Sequence, residues 1–453
     1  MNKKGYYHSV TLDETLCRGC TNCISDCPTE AIRVRDGKAY IIRDRCIDCG
    51  ECIRSCPAHA KKALSDPFEI IDKYDYKVAL PAPSLYGQFR EIEAPEFVLS
   101  ALLEIGFDDV YEVAKAAEIV TVATRKLIEA GSYPKPLISS SCPAVVRLIQ
   151  LRFPSLIENI IKIQSPMEVA ARVVKKYIHK DKKNIGVFFI SPCPAKVTAV
   201  RAPIGHEDSF VDGVISVNTI YSKLRAAIKK ITTPIRYSNV SGAGIGWAQS
   251  DGESDAVDAP KSISVDGILQ VIKVLEQIEN EDIHDVDFIE VMACPGGCVG
   301  GTFNVENTFI ARSAVKRIIK NNKTVVRDDE IFRNPCFDLS WTKEIYSESV
   351  MKLDKDINVA MQKMEQLDII HKELPGLDCG SCGAPTCRAL AEDIVRHTSG
   401  KEIFGGLGFA EKSDCIFIFR DEIRELARRM WDLEKKMPVV YKPHSETENL
   451  AEP

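Results

Sequence analysis

The apolar positions of this chain change period several times, and each change predicts an element. From Tyr76 to about Phe332, short continuous apolar runs alternate with amphipathic stretches. The runs are Tyr76–Pro81, Leu137-Ile138, Ile185–Ile190 and Phe288–Met292. Helices are predicted at Pro95–Ile105, Glu118–Ala130, Pro166–His179, Ile268–Glu281 and Ile310–Lys320. That alternation implies α/β layering. The third helix has a marked start, with Ser165 as cap, Pro166 in the first turn and Glu168 placed for a capping box. Upstream, Ala31–Val34 and Ala39–Ile42 flank Asp36-Gly37, a hairpin signal. Lys61–Asp75 reads as a charged linker. Downstream of Asn334-Pro335, the polar amphipathic stretch Lys343–Lys372 offers Ile345, Met351, Ile357, Met361, Met364 and Leu367 for packing on a core. Helices are expected again at Arg388–His397 and Asp421–Met437, and the last residues read as a frayed tail.

Length and charge narrow the class. A chain of 453 residues with 45% hydrophobic content can bury a large core and accommodates two to four domains. Its formal net charge of -6 argues against a nucleic-acid partner. Met1–Val10 is polar with no apolar targeting region, and no apolar run is long enough to span a bilayer. A cytoplasmic protein without membrane insertion is the expectation. In that reducing setting the 17 cysteines point to metal binding rather than disulfides.

The cysteines fall into three sets. In the first, Cys17-Arg18-Gly19-Cys20-Thr21-Asn22-Cys23 with Cys27-Pro28 is repeated as Cys46-Ile47-Asp48-Cys49-Gly50-Glu51-Cys52 with Cys56-Pro57. Each is the tight run of thiolates found in bacterial ferredoxins, where the fourth cysteine of one run ligates the other run's cluster. Cys17, Cys20, Cys23 and Cys56 are therefore assigned to one [4Fe-4S] cluster, and Cys46, Cys49, Cys52 and Cys27 to a second. Two zinc ions are the competing occupants, disfavoured by the doubled three-residue spacing. Two adjacent clusters make an electron conduit.

In the second set, three apolar runs each lead into a cysteine followed by proline: Ser141-Cys142-Pro143, Ser191-Pro192-Cys193-Pro194 and Met292-Ala293-Cys294-Pro295, with Cys298 following. Ligands gather beyond the carboxyl ends of parallel strands, so Cys142, Cys193, Cys294 and Cys298 can form one buried metal site. Gly296, Gly297, Gly300 and Gly301 allow the backbone to approach something bulky. Isolated cysteines are otherwise buried small hydrophobes.

These three segments resemble the signature segments of the iron-iron hydrogenases. The resemblance spans residues 1–332 or so, because many family members also carry a double-cluster ferredoxin module. It implies an H-cluster: a [4Fe-4S] cubane held by Cys142, Cys193 and Cys294, and bridged through Cys298 to a diiron centre with CO, CN and azadithiolate ligands. It further implies that Ala82, Pro83, Ser84, Pro166, Met167, Ser191 and Met292 surround the cofactor. Ser84 and Lys196 would donate to cyanide, an ammonium beside an anion giving a charge-assisted hydrogen bond.

The chain departs from the family around the proton route. Ser141 stands where the family has a proton-relaying cysteine, and a serine hydroxyl is far harder to deprotonate than a thiol. Ala199 stands for an acidic residue beyond the matched lysine. The family's glutamates before the first signature are replaced around Ala123–Lys126. Met167 replaces a glutamine and Ser191 a methionine beside the diiron centre, which alters the polarity around the cofactor. An intact cage with a broken proton route implies slow hydrogen chemistry used for hydrogen or redox sensing. The alternative is a cubane-only protein of iron–sulfur assembly or electron transfer.

In the third set, Cys379-Gly380-Ser381-Cys382-Gly383 and Cys387 resemble a small [4Fe-4S] module of electron-transfer proteins, with Cys415 as the expected fourth ligand. Zinc competes more seriously here. Cys336 stands alone and is read as structural.

The expected architecture is thus an N-terminal α+β ferredoxin domain (1–72), an α/β hydrogenase-like domain (73–333), a helical connector (334–372), a mainly helical iron–sulfur module (373–438) and a tail (439–453). Expected partners are hydrogen and protons, a ferredoxin-like electron carrier or a signalling protein, and the proteins that mature an H-cluster.

Overall fold

The computed structural model describes residues 7–131, 133–322, 338–397, 415 and 428–429. It divides into two compact units, residues 1–355 and 356–453. Cys336, nearly all of the helix expected at Asp421–Met437, and the tail 439–453 lie outside the described residues.

In the first unit, β1 (Val10–Leu12), β2 (Ile32–Arg35), β3 (Lys38–Ile41) and β4 (Lys61–Ala63) form two antiparallel pairs, β1 with β4 and β2 with β3. Asp36 and Gly37 join β2 to β3 with φ of 50° and 71°. Two consecutive positive φ values suit the twist of a two-residue hairpin, which is why Asp-Gly sits there. The stretch read as a charged linker is structured from its first residue. Lys61–Ala63 completes the β1 ladder, and Phe68–Lys73 is a 3-10 turn that buries Phe68 and Ile71. Charge misled here because Lys61 faces inward.

Next come β5 (Tyr76–Pro81), β6 (Asp109–Val110), β7 (Leu137–Ile138), β8 (Ile185–Ser191), β9 (Gly213–Ser216), β10 (Ser262–Asp266) and β11 (Phe288–Met292). They build two parallel sheets, one ordered β6-β5-β8-β9 and the other β10-β11-β7. The larger sheet is covered on both faces. Ala79, Phe188, Ile190 and Ile215 enter one apolar cluster, while Val78, Leu80, Val187, Phe189 and Val214 enter another. Strands sandwiched this way need apolar residues at every position, which explains their continuous rather than alternating pattern. A third cluster packs the helices Pro143–Arg152 and Ile268–Glu279 on the smaller sheet.

The predicted helices occur at Glu96–Glu104, Val113–Ala130, Ile268–Glu279 and Thr308–Asn321. The second begins five residues earlier than expected, because Val113, Ala114, Ala116 and Ala117 are all buried. The helix beginning at Pro166 is α-helical to Val173 and continues as a π-turn over Val174–Ile178. Ser165 occupies its N-cap, but no side chain closes a capping box. Glu168 instead accepts from the Ser209 hydroxyl and from Phe210 N.

In the second unit, Asp356 caps the helix Ile357–Glu373 by accepting from Asn358 N and Val359 N at 2.8 and 3.2 Å. That helix packs against Cys387–His397. The long amphipathic stretch is therefore α-helical only from Ile357, with a short 3-10 turn at Ser349–Met351 before it. Of its apolar positions Ile345 and Leu367 are buried, whereas Ile357, Met361 and Met364 are exposed. No helix among the described residues is long and apolar enough to cross a membrane.

Candidate metal centres

Four groups of thiols are gathered by the fold. Cys17, Cys20, Cys23 and Cys56 line one small cavity, so the first run meets the last cysteine of the second. Cys27 faces Cys46, Cys49 and Cys52, whose thiols burial and mutual repulsion push up, Cys52 to about 12. Backbone N–H groups aim at the sulfurs: Ala31 N at Cys27, Ala39 N at Cys17 and Ala60 N at Cys56, at 3.2, 3.4 and 3.3 Å. Such bonds stabilise sulfur only as it carries negative charge.

In the second unit, Cys379, Cys382, Cys387 and Cys415 line one cavity, which brings Cys415 to the tight group. The Asp378 carboxylate fixes the loop by accepting from Cys387 N at 2.6 Å. The Ser381 hydroxyl holds the Cys379 thiol below its ordinary value.

The largest site lies beyond the carboxyl ends of both parallel sheets. β5 leads into Ala82 and Pro83, β7 into Ser141 and Cys142, β8 into Cys193, and β11 into Ala293 and Cys294. All of these residues line one cavity, with Pro166, Met167, Lys196, Met292, Gly297 and Cys298. About 800 Å³ there, counting the part open to solvent, is free of protein atoms. Burial and the neighbouring thiols push Cys193 up to about 12 and hold Cys298 well above its ordinary value. Four buried thiols so crowded become thiolates only around a cationic centre.

A single ion would leave most of this space empty, so the residues fit a bulky cluster extended by a second group. Two further features support that fit. Lys196 lines the cavity, with Nζ donating to Ser141 O at 2.9 Å. Ser84 is fully buried, and its Oγ has no partner among the described residues. Ser84 and Ser191 are not among the lining residues. The Ser191 hydroxyl is engaged by its own loop, donating to Cys193 O at 2.9 Å and accepting from Cys193 N at 3.2 Å.

Two residues with polar groups at or behind the lining escaped the sequence reading. Trp247 lines the cavity and donates its indole N–H to Thr121 Oγ1 at 3.2 Å. Glu253, 3% exposed, stands behind Ser141. Ser139 Oγ donates to Glu253 Oε2 at 2.7 Å, and Ser141 Oγ donates to Glu253 Oε1 at 3.2 Å. Burial, then the nearby Glu290 carboxylate, push Glu253 up to about 8. Glu290 is itself fully buried, and burial pushes it up to about 7. Its Oε2 accepts from Ser254 N at 2.7 Å and from the half-buried Ser264 hydroxyl at 3.3 Å. Ser141 thus joins Glu253 to the cavity wall, while Glu290 acts on Glu253 through its charge: no hydrogen bond links the two carboxyls, and Glu290 Oε1 has no partner among the described residues. A glutamate just after Asp251-Gly252 gave no motif to find it by; only the packing of the short helix Gly252–Val257 against β11 brings it to the site.

Comparison with known proteins identifies the family. The family model for the iron only hydrogenase large subunit, C-terminal domain, matches residues 75–259 and 218–302, just over half of the chain. A 4Fe-4S dicluster domain matches 9–59, and a model of an Fe-S cluster segment matches 374–402. Iron hydrogenase 1 of Clostridium pasteurianum is 24% identical over 374 residues, 65% of this chain and 64% of that protein. The chain therefore spans just under two thirds of that relative's length. The cytosolic Fe-S cluster assembly factor NAR1 homolog of Schizosaccharomyces japonicus is 33% identical over 127 residues, 27% of this chain and 24% of that protein. Among solved structures, an apo [FeFe]-hydrogenase HydA1 variant from Chlamydomonas reinhardtii aligns with a TM-score of 0.47 at 16% identity, covering 60% of this chain and 94% of that one. With a family match over more than half its residues, on the domain whose strand ends gather the four thiols, the chain belongs to the iron-only hydrogenase large-subunit family.

Proposed function

We propose that this chain activates hydrogen reversibly, H2 to two protons and two electrons, slowly and in the service of hydrogen or redox sensing. The observation that carries the reading is the single large cavity in which four thiols, Lys196 and the hydroxyl of Ser141 meet, backed by a protonatable carboxyl. Cys142, Cys193 and Cys294 would hold a [4Fe-4S] cubane, and Cys298 would bridge it to a diiron group. When bound, that group supplies the centre at which hydrogen is cleaved.

The chain's own residues do the rest. Lys196 offers an ammonium to an anionic ligand, and the water-poor wall strengthens that bond. Ser84 offers its unpartnered hydroxyl nearby. Ser141 hands a proton to or from Glu253 by exchanging hydrogen bonds, without ionising itself. Glu253, raised to about 8, titrates near working pH, where a proton carrier is most effective. The missing family cysteine therefore does not leave the cavity without a proton carrier. Turnover is still expected to be slow, because a hydroxyl is a poorer relay than a thiol.

The two N-terminal clusters, held by Cys17, Cys20, Cys23, Cys56 and by Cys46, Cys49, Cys52, Cys27, would conduct electrons. A fourth cluster on Cys379, Cys382, Cys387 and Cys415 would serve a ferredoxin-like carrier or a signalling partner. Loading the diiron group requires maturation proteins.

A second reading, a cubane-only assembly or electron-transfer protein, draws on the resemblance to the assembly factor. Infrared spectroscopy decides between them, after the cubanes are rebuilt anaerobically and the synthetic diiron cofactor is added. Carbonyl and cyanide bands that change between argon and hydrogen are expected. Absence of protein-bound bands, while a known hydrogenase loaded in parallel acquires them, would sink the hydrogen reading.

A further inference from the structure

Lys61 is the first residue of β4, paired with Leu12 in the β1 ladder. Strand alternation sends it and Lys62 to opposite faces. Lys62 is half exposed and pairs with Asp13 Oδ2 at 2.7 Å. Lys61 is 2% exposed, and its Nζ has no hydrogen-bond partner among the described residues. It lines the cavity of Cys17, Cys20, Cys23 and Cys56, and its charge faces Cys23, Cys52 and Cys56. Those thiols belong to both N-terminal ligand sets, so the ammonium stands between the two.

An ammonium buried without a counter-charge is among the most costly groups a protein can contain. Arg54, at the next junction inward, is satisfied by protein. Its guanidinium donates to Glu51 Oε2 at 3.0 Å and to Gly300 O at 2.7 Å. Among the described residues no carboxylate or carbonyl accepts from Lys61. Its counter-charge must therefore come from the surrounding thiolates, whose negative charge exceeds the positive charge of the iron–sulfide core they would hold.

We infer that Lys61 is the internal counter-ion of the N-terminal cluster pair, placed to favour the reduced state of the cluster beside it. This rests on the cluster reading given above. Each one-electron reduction adds one negative charge to a [4Fe-4S] cluster, and a fixed cation within a low-dielectric wall lowers the free energy of that added charge. The pair would then hold electrons rather than merely pass them on. That suits a protein whose output is its redox state.

The test is an EPR redox titration of the full chain with its clusters rebuilt, comparing wild type with Lys61→Met, with iron counted in each sample. At a fixed ambient potential the ratio of reduced to oxidised N-terminal cluster should fall roughly tenfold or more in Lys61→Met, the scale of one unit charge removed at an effective dielectric of about 20. Unchanged titration with full iron content overturns the inference. If Lys61→Met loses iron, Lys61→Arg is compared with Lys61→Gln. Wild-type titration in the arginine variant and impaired reduction in the glutamine variant support the role. Identical curves in those two, or iron loss from all three, make Lys61 a structural residue and overturn it. Failure of the wild type itself to bind iron at these cysteines marks a failure of the cluster reading instead.

Discussion

The Ser141 hydroxyl donates to Glu253 Oε1 across 3.2 Å, joining residues 112 positions apart in the chain. Because Ser141 also lines the cavity and Glu253 does not, the pair forms a step from the site into the protein. Replacing Glu253 with Gln keeps the shape and removes the proton. Hydrogen oxidation should then fall by roughly 10²–10⁴, the usual contribution of a positioned acid–base group. Infrared bands of the loaded cofactor should persist. A variant that keeps its rate would remove Glu253 from the proton path.

The same carboxyls make stability depend on pH. Glu253 at about 8 and Glu290 at about 7 stand above their ordinary 4.5. The folded chain thus retains protons that the unfolded chain releases. Their contribution is fully present below pH 4.5 and is lost as pH rises through 7 to 8. The melting temperature of the cluster-loaded protein should fall by several degrees between pH 6 and 8.5, and Glu253→Gln should flatten that slope. A wild-type profile that rises over this window contradicts the assignment.

Lys196 donates to Ser141 O and borders the cavity, so it should matter for retention of an anionic cofactor. A charge-assisted hydrogen bond contributes about 1.5–3 kcal/mol. Lys196→Met should therefore retain the diiron group roughly tenfold less well or worse, read as the infrared band intensity remaining after desalting. Equal intensity would relieve Lys196 of that role.

Gly297 has φ of 89°, and a Cβ there would stand 2.5 Å from Ser250 N. Gly297→Ala should destabilise by about 1–3 kcal/mol through strain and overpacking. Since Cys298 follows directly, the variant should also retain less of the diiron group. Thermal melting and infrared spectra of one sample check both effects. An alanine variant that melts and loads like wild type would show that the Ser250 segment yields easily.

Cys415 is 5% exposed and shares its cavity with Cys379, Cys382 and Cys387. Cys415→Ala should remove one four-iron cluster from the iron count and leave the N-terminal EPR signals intact. Metal analysis that finds zinc in the wild type, lost in the variant, would replace iron there.

Much of the chemistry was legible in the chain itself. Thiolate spacing is a local property, so the tight runs at Cys17–Cys27, Cys46–Cys56 and Cys379–Cys387 announce their chemistry without a fold. The hairpin at Asp36-Gly37 and the buried strands Tyr76–Pro81 and Ile185–Ser191 are likewise written in backbone preference and apolar pattern. The Cys-Pro pairs at strand ends located the central site, because parallel strands deliver their loops to one edge.

Tertiary structure decided what depends on distance rather than sequence spacing. Glu253 has no motif, and its place behind Ser141 follows from a short helix packing on a strand of the smaller sheet. Lys61 looked like part of a charged linker until β-pairing turned it inward and Lys62 outward. Glu168 fitted a capping box locally, yet Ser209 and Phe210 claim its carboxylate. A charged side chain in sequence carries no sign of its surroundings. Which counter-charge it meets, and how much water is left to screen it, is set only when distant segments close around it.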